Sequence, residues 1–358
     1  MISRRDFLKK GVISAGAFAM MPVIDLGEVV NQWPDAERLG RNCTGGWINL
    51  RARPSSSSAE VGKLYEDDVV VWLREVVGEA PSGLLNRKWI ETPQGYIYST
   101  NLQPVKYLPN AVVENLPTSS LGVGMWAEVT VPYVDLVLPN PPIAPWLKEV
   151  TNPRLYYSQV MWIDGIKNTS DGRTIYRVNE HYGTYGDIFE ASADAFRPLT
   201  EEELSPINPE VENKKIVVNL NYQTLSCFEN DREVFFCQIS SGAKFDASGS
   251  AVDEWATPIG SHLPWRKAIS FHMSGGASGA GWDTPGIAWT TLFDPDGAAI
   301  HSTFWHNNFG MPKSHGCVNA KPEDAKWIFR WTKPHVPYDP GNVDISGPGG
   351  TIIDVIEL

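Results

Sequence analysis

The chain has 358 residues, with 30 Lys and Arg against 42 Asp and Glu, a formal net charge of −12. That balance argues against a nucleic-acid partner and against adhesion to anionic lipid through a basic patch. The length calls for two or three domains, and the 4 cysteines show no CxxC pair and no zinc-ribbon spacing.

In chain order, residues 1–22 read as a targeting segment. Ser3-Arg4-Arg5-Asp6-Phe7-Leu8-Lys9 resembles the twin-arginine export signal, and a weakly apolar run from Gly11 to Met21 follows, ended by Pro22. The run is too short and too rich in Gly, Ala and Ser for a membrane span. The resemblance implies a prokaryotic protein that folds before export and ends in the cell envelope, in the periplasm or on the cell-wall side of the membrane. No clear Ala-x-Ala cleavage site follows, so a cleaved signal and an uncleaved membrane anchor both stay open. The segment is itself basic, which makes the mature chain more acidic than the whole.

Residues 23–40 read as a linker. From 41 to 106 the chain reads as short strands separated by turn clusters: 47–53, 61–64, 68–73, 88–92 and 95–99, the pattern of a small barrel. Asn49-Leu50-Arg51 followed by Pro54, then Trp89-Ile90-Glu91 and Gly95-Tyr96-Ile97-Tyr98, resemble a bacterial SH3-like domain. The resemblance implies either a cell-wall binder or a structural spacer. Residues 107–213 read as a second small β module: Val123 to Val137 is β-rich, Pro139 to Pro145 is a proline-rich loop, and Leu155–Ile166 and Thr174–Asn179 are further strands. His181, beside Glu180, reads as a structural or surface histidine.

The pattern changes at residue 214, where a module running to 357 begins. Strands are expected at 215–220, 223–228, 233–239, near 298–300 and at 351–356. Cys227 and Cys237 flank a turn at 229–232; a hairpin centred there pairs Cys227 with about Val234, which favours buried thiols over a disulfide. A glycine-rich loop runs from Ser274 to Gly286. Pro322-Glu323-Asp324 opens a helix reaching Thr332, with Ala325, Ile328 and Phe329 on its inner face. The chain is therefore expected to be mainly β: SH3-like small barrels followed by a β-sandwich with a short helix.

The chemistry concentrates in Ser314-His315-Gly316-Cys317-Val318-Asn319, with His301 sixteen residues before the cysteine. A thiol attacks as thiolate, and a neighbouring imidazole can take its proton. A glycine just before the nucleophile lets a backbone N–H approach a reacting oxygen. Taken singly, a lone buried cysteine or a core histidine is the commoner reading; the combination is rarer.

This stretch resembles the L,D-transpeptidase family with its YkuD-type catalytic domain. The matching words are His301-Ser302 and Ser314 to Asn319, flanked by Thr257-Pro258, Gly260, Phe304 to Gly310 and Asp324-Ala325. The resemblance implies the following roles. Cys317 is the nucleophile and His301 the base. The Ser302 carbonyl fixes the tautomer, and the Gly316 and Cys317 N–H groups form much of the oxyanion hole. Ser314, His315 and Asn319 shape the turn. The implied substrate is a peptidoglycan tetrapeptide stem, joined into 3→3 cross-links in cell-wall biogenesis and the maintenance of cell shape, with carbapenem-type compounds as inhibitors. No metal or organic cofactor is implied. Family members often carry a flap tyrosine near the oxyanion; the comparable stretch here has Phe271 and Trp282 instead. Water as acceptor would make the enzyme an L,D-carboxypeptidase. Two other readings are a zinc site built from His301, His306, His315 and Cys317, which lacks a His-Glu-x-x-His helix, and a non-catalytic cell-wall-binding protein.

Overall fold

The computed structural model describes residues 33–245, 249–275, 282–347 and 349–357. The targeting segment, most of the linker and residues 276–281 of the glycine-rich loop lie outside the described residues. What is described is mainly β, in open sheets that do not close on themselves. Among the described residues no helix is long and apolar enough to cross a membrane.

Residues 39–105 form two small sheets around a core of Ile48, Leu50, Val70, Trp72, Ile90, Ile97 and Leu102. The first strand, Leu39–Asn42, pairs antiparallel with Val69–Val71 and Leu102–Val105. It begins two residues inside the expected linker, a correction to that boundary. The strand is hard to read because a buried Arg41 follows Leu39 and Gly40. Arg41 is held by Asp67 at 2.5 Å and by Gln103, and its Nη2 donates to the Phe304 carbonyl at 2.9 Å.

Residues 107–213 are built on a five-stranded sheet ordered Ile188–Ser192, Thr174–Asn179, Val160–Asn168, Met125–Val129, Phe196–Pro198. Side chains of a strand alternate between faces, and here both faces are buried. Met125, Ala127, Val129, Met161 and Ile163 enter the module's own core. Trp126, Val160 and Trp162 enter the core of the C-terminal module. A short helix α1 (Pro145–Glu149) occupies the end of the proline-rich loop, with Pro145 in its first turn, where a fixed φ suits a helix start.

The C-terminal module has two five-stranded sheets. In chain order its strands are β1 (Lys214–Asn219), β2 (Thr224–Glu229), β3 (Arg232–Gln238), β4 (Gly260–His262), β5 (Arg266–Gly275), β6 (Trp282–Leu292), β7 (Ala299–Ser302), β8 (Val318–Ala320), β9 (Asn342–Asp344) and β10 (Ile352–Ile356). One sheet is ordered β3-β2-β1-β10-β4 and the other β8-β7-β6-β5-β9. A common core joins them, with Ile216, Val218, Leu225 and Val355 from the first and Ile269, Trp289, Ile300 and Val318 from the second. Cys227 stands opposite Phe235, one position from the expected partner because a bulge follows it; Cys227 and Cys237 are buried and unbridged.

Helix α2 (Pro322–Trp331) buries Ala325, Ile328, Phe329 and Trp331. Its C-terminal carbonyls lack helical partners, and two lysines supply donors from opposite sheets. Lys267 on β5 donates to the Phe329, Thr332 and Pro334 carbonyls at 2.7, 2.5 and 2.9 Å. Lys214 on β1 donates to the Trp331 and Ile207 carbonyls at 2.9 and 2.7 Å. Burial pushes the Lys267 ammonium well below its ordinary range, and three carbonyls at hydrogen-bonding distance match its three donors.

Candidate active site

β7 and β8 run parallel, with His301 opposite Asn319 and Ile300 opposite Val318. Cys317 leads directly into β8, so His301 lies diagonally across from it on the neighbouring strand. The turn before it is fixed internally. Gly316 adopts φ +118°, open to glycine; its N–H donates to Ser314 Oγ at 3.2 Å, and that hydroxyl donates to the Cys317 carbonyl at 2.5 Å. Of the two amides expected to face an oxyanion, the one on Gly316 is therefore already engaged within the turn.

The segment following β3 straps this turn in place. Ser240 and Asn319 exchange both backbone hydrogen bonds at 2.9 Å, Ser314 N–H donates to the Ser241 carbonyl at 3.0 Å, and Ala243 N–H donates to the Ser314 carbonyl at 2.8 Å. Gln223 anchors the strap, accepting from Ser241 N–H at 2.8 Å and donating to Ser241 Oγ at 2.7 Å.

A cavity of about 460 Å³ opens onto Cys317; Gly316, His315, Phe271, His272 and Thr184 share its wall with the carboxylates of Glu254, Asp294 and Asp296. His301 is not among the lining residues and is buried, only 2% exposed. Its Nδ1 lies 2.8 Å from the Ser302 carbonyl. A carbonyl only accepts, so the ring proton sits on Nδ1 and the lone pair on Nε2. Burial holds the imidazole down to about 4 against that hydrogen bond. Burial also pushes the Cys317 thiol up to about 11, opposed by the Ala299 backbone amide. The resting pair is thus a neutral thiol and a neutral imidazole, and charge separates between them only when something stabilises it.

The remaining motif residues support this arrangement. The Asn319 side-chain amide lies 2.9 Å from His306 Nε2, while Asn308 N–H donates to His306 Nδ1 at 3.1 Å; His306 is fully enclosed and burial lowers it to about 3. His315 lies edge-on to Trp255, ring centres 4.3 Å apart, and burial lowers it too. Among the described residues no group of three or more His, Cys, Asp or Glu side chains is placed to hold a metal ion. Phe271 lines the cavity, whereas the side chain of Trp282 lies outside the described residues.

Sequence reasoning passed over His272. It lines the cavity and is gripped at both nitrogens, Nδ1 by Glu180 and Nε2 by Asp283. Glu180 is 92 residues away in the preceding module. His181, its neighbour, packs against Trp126, Trp162 and Tyr182, and burial lowers its pKa.

Residues 213–353 match the YkuD family, described as the L,D-transpeptidase catalytic domain. No curated protein matches the chain. Among solved structures, the catalytic domain of the Enterococcus faecium L,D-transpeptidase is similar at 22% identity over 40% of this chain and 98% of that one, TM-score 0.30. An L,D-transpeptidase from Mycobacterium smegmatis is similar at 15% identity over 53% and 98%, TM-score 0.31. An LD transpeptidase in complex with imipenem is similar at 16% identity over 68% and 100%, TM-score 0.31.

Proposed function

We propose that the protein is a cysteine-dependent L,D-transpeptidase acting on peptidoglycan tetrapeptide stems. The observation that carries this reading is the pair at the cavity. Cys317 opens onto it, and His301, on the strand parallel to the one that follows Cys317, has its proton fixed on Nδ1 by the Ser302 carbonyl at 2.8 Å. Because thiol and imidazole rest neutral, proton transfer accompanies attack instead of preceding it. The sulfur adds to the carbonyl between the L-centre of the third stem residue and the D-Ala at position four while His301 Nε2 takes the thiol proton. The tetrahedral oxyanion collapses, the C–N bond breaks, and the imidazolium returns the proton to the departing D-Ala amine, leaving a thioester. An amine on the third residue of a neighbouring stem then attacks the thioester, giving up a proton as sulfur leaves, and closes a 3→3 cross-link. Water in place of the amine gives a trimmed tripeptide.

Around this chemistry we place a twin-arginine export route to the cell envelope, and residues 41–106 as an SH3-like module serving wall attachment or spacing. Carbapenem-type compounds are expected to acylate Cys317. The test is intact mass after carbapenem addition: one adduct on the wild type and none on Cys317→Ala supports the reading. An equal adduct on both, or none on the wild type, sinks it. Incubation with disaccharide-tetrapeptide separates acceptors, since dimer, tripeptide and D-amino-acid exchange products differ in mass. A non-catalytic wall-binding role predicts no product of any kind.

A further inference from the structure

The 107–213 module reaches the cavity through Thr184, which lines it, and through Glu180, which meets the lining residue His272. His272 sits on β5 at the bulge in its pairing with β6, and its ring is buried between two carboxylates. Glu180, from the loop after Thr174–Asn179, meets Nδ1, and Asp283 on β6 meets Nε2. Ionised carboxylates only accept, so an imidazole that bonds to both must carry both protons. The other Asp283 oxygen accepts from the Trp146 N–H of α1 at 3.2 Å. Glu180 Oε1 is buried with no partner, so the charge on this carboxylate leans on His272.

The same module also holds β5 and β6 elsewhere. Gln159 Nε2 donates to the Pro285 carbonyl at 2.6 Å, and Ser270 Oγ donates to the Val160 carbonyl. Gly286, at φ +64°, approaches so closely that a Cβ there would stand 2.6 Å from Met161 Sδ. Those three are insensitive to protonation. The His272 link is not, and it is the one that lines the cavity.

We infer that Glu180, His272 and Asp283 form a clamp by which the 107–213 module positions strands β5 and β6 beside the cavity onto which Cys317 opens, and that the clamp holds only while His272 is an imidazolium. The three are positioning residues; none touches the reacting atoms. Loss of one ring proton removes a charge-assisted hydrogen bond and leaves two carboxylates, buried Glu180 and half-buried Asp283, facing each other across a neutral ring. Burial works against the charged ring, the two carboxylates overcome it, and the pKa stands above 6.5. A raised histidine stabilises fully below its unfolded value and ceases to do so as pH climbs through the raised one. The other groups around His272 are Tyr185, edge-on with ring centres 5.5 Å apart, and across the cavity wall Glu254, Asp294, Asp296, His315 and Cys317. The carboxylates among these favour the cationic ring.

The inference deepens the proposed function and rests on it only for its consequence at Cys317. The test compares full-length wild type, Glu180→Gln and Asp283→Asn. Backbone hydrogen exchange of 266–275 and 282–292, corrected for the intrinsic rise with pH, requires no chemistry at the cysteine. We expect the two wild-type strands to be protected at pH 6 and to lose roughly tenfold of that protection by pH 9, the worth of one charge-assisted hydrogen bond. Both substitutions should show the loss already at pH 6. The rate of carbapenem adduct formation on Cys317, taken relative to its iodoacetamide alkylation at the same pH, should fall at alkaline pH, and the fall should move to lower pH in Glu180→Gln. Exchange in these strands that is indifferent to pH and to both substitutions overturns the clamp, whether or not the adduct forms. A wild type that takes no adduct counts against the cysteine chemistry and leaves the exchange result to decide the clamp. If both variants fail to fold, the wild-type exchange at the two pH values decides it alone.

Discussion

Replacing Gly242 with alanine is expected to loosen the turn that carries Cys317 without touching any side chain of the site. Gly242 lies in the strap after β3 and bridges to Ser314. A Cβ built on it would stand 2.0 Å from the Trp255 carbonyl oxygen and 2.7 Å from the Thr257 nitrogen. Carbon and oxygen in contact prefer a separation of more than about 3 Å, so the overlap exceeds 1 Å. Both clashing atoms belong to backbone, and no flexible side chain can swing aside. Relief requires the 255–257 segment or the strap to move, which breaks the Gly242 N–H bond to Thr257 Oγ1 at 2.8 Å and disturbs the adjoining Ala243 N–H to Ser314 carbonyl bond. Overpacking costs about 1–3 kcal/mol, and one lost hydrogen bond about 1 kcal/mol, so a destabilisation of about 3 kcal/mol is expected. Thermal melting should fall by roughly 5 °C or more. The carbapenem adduct rate on Cys317 should fall in the fraction that remains folded. Gly45→Ala is the control: its Cβ would meet nothing within 4 Å, and a change within about 0.5 kcal/mol is expected. Wild-type melting and a wild-type adduct rate for Gly242→Ala would refute the argument that the strap is sterically closed.

Two further outcomes follow from the electrostatics. With the Cys317 thiol pushed up to about 11, iodoacetamide alkylation of the free enzyme should be slow at pH 7 and rise through the alkaline range; a plateau below pH 8, read by mass, would mean a preformed thiolate. Glu203 feels a raising effect from burial, but Arg197 and Lys326, at 2.8 and 2.6 Å, bring its carboxyl down to about 2. A depressed carboxyl stabilises above its unfolded value near 4.5 and stops doing so as pH falls toward 2. Glu203→Gln should therefore lower stability at neutral pH and flatten the decline between pH 4.5 and 2 in denaturant titrations.

The parts of this molecule that are readable from sequence are those whose information is contiguous. Ser314 to Asn319 specifies a turn by its own residue types, and the hydroxyl of Ser314 closes that turn on the Gly316 N–H and the Cys317 carbonyl. Helix α2 announces itself through Pro322 and the acids after it, and ends one residue before the expected Thr332. The strands Val160–Asn168 and Thr174–Asn179 are visible as β-branched and aromatic runs. What is not readable depends on distant pairing. Leu39–Asn42 becomes a strand because Val69–Val71 and Leu102–Val105 flank it; its own Gly and Arg suggest nothing of the kind. Glu180 looks like an incidental neighbour of His181 until the fold sets it against His272, and no spacing rule links residues 92 apart. The two-sided burial of Met125–Val129 likewise depends on a second module arriving from beyond residue 213.

That shared face bears on what counts as one piece of this protein. The matched family spans residues 213–353, yet the core of that span is completed by Trp126, Val160, Trp162, Leu199 and Leu204 from upstream, and Lys214 anchors to the Ile207 carbonyl across the supposed boundary. The inherited unit and the cooperative unit thus have different edges. A fragment trimmed to the family limits would present bare indole-contacting surface to water and melt as something other than an excised domain, whereas chain from residue 107 onward carries both halves of the interface with it.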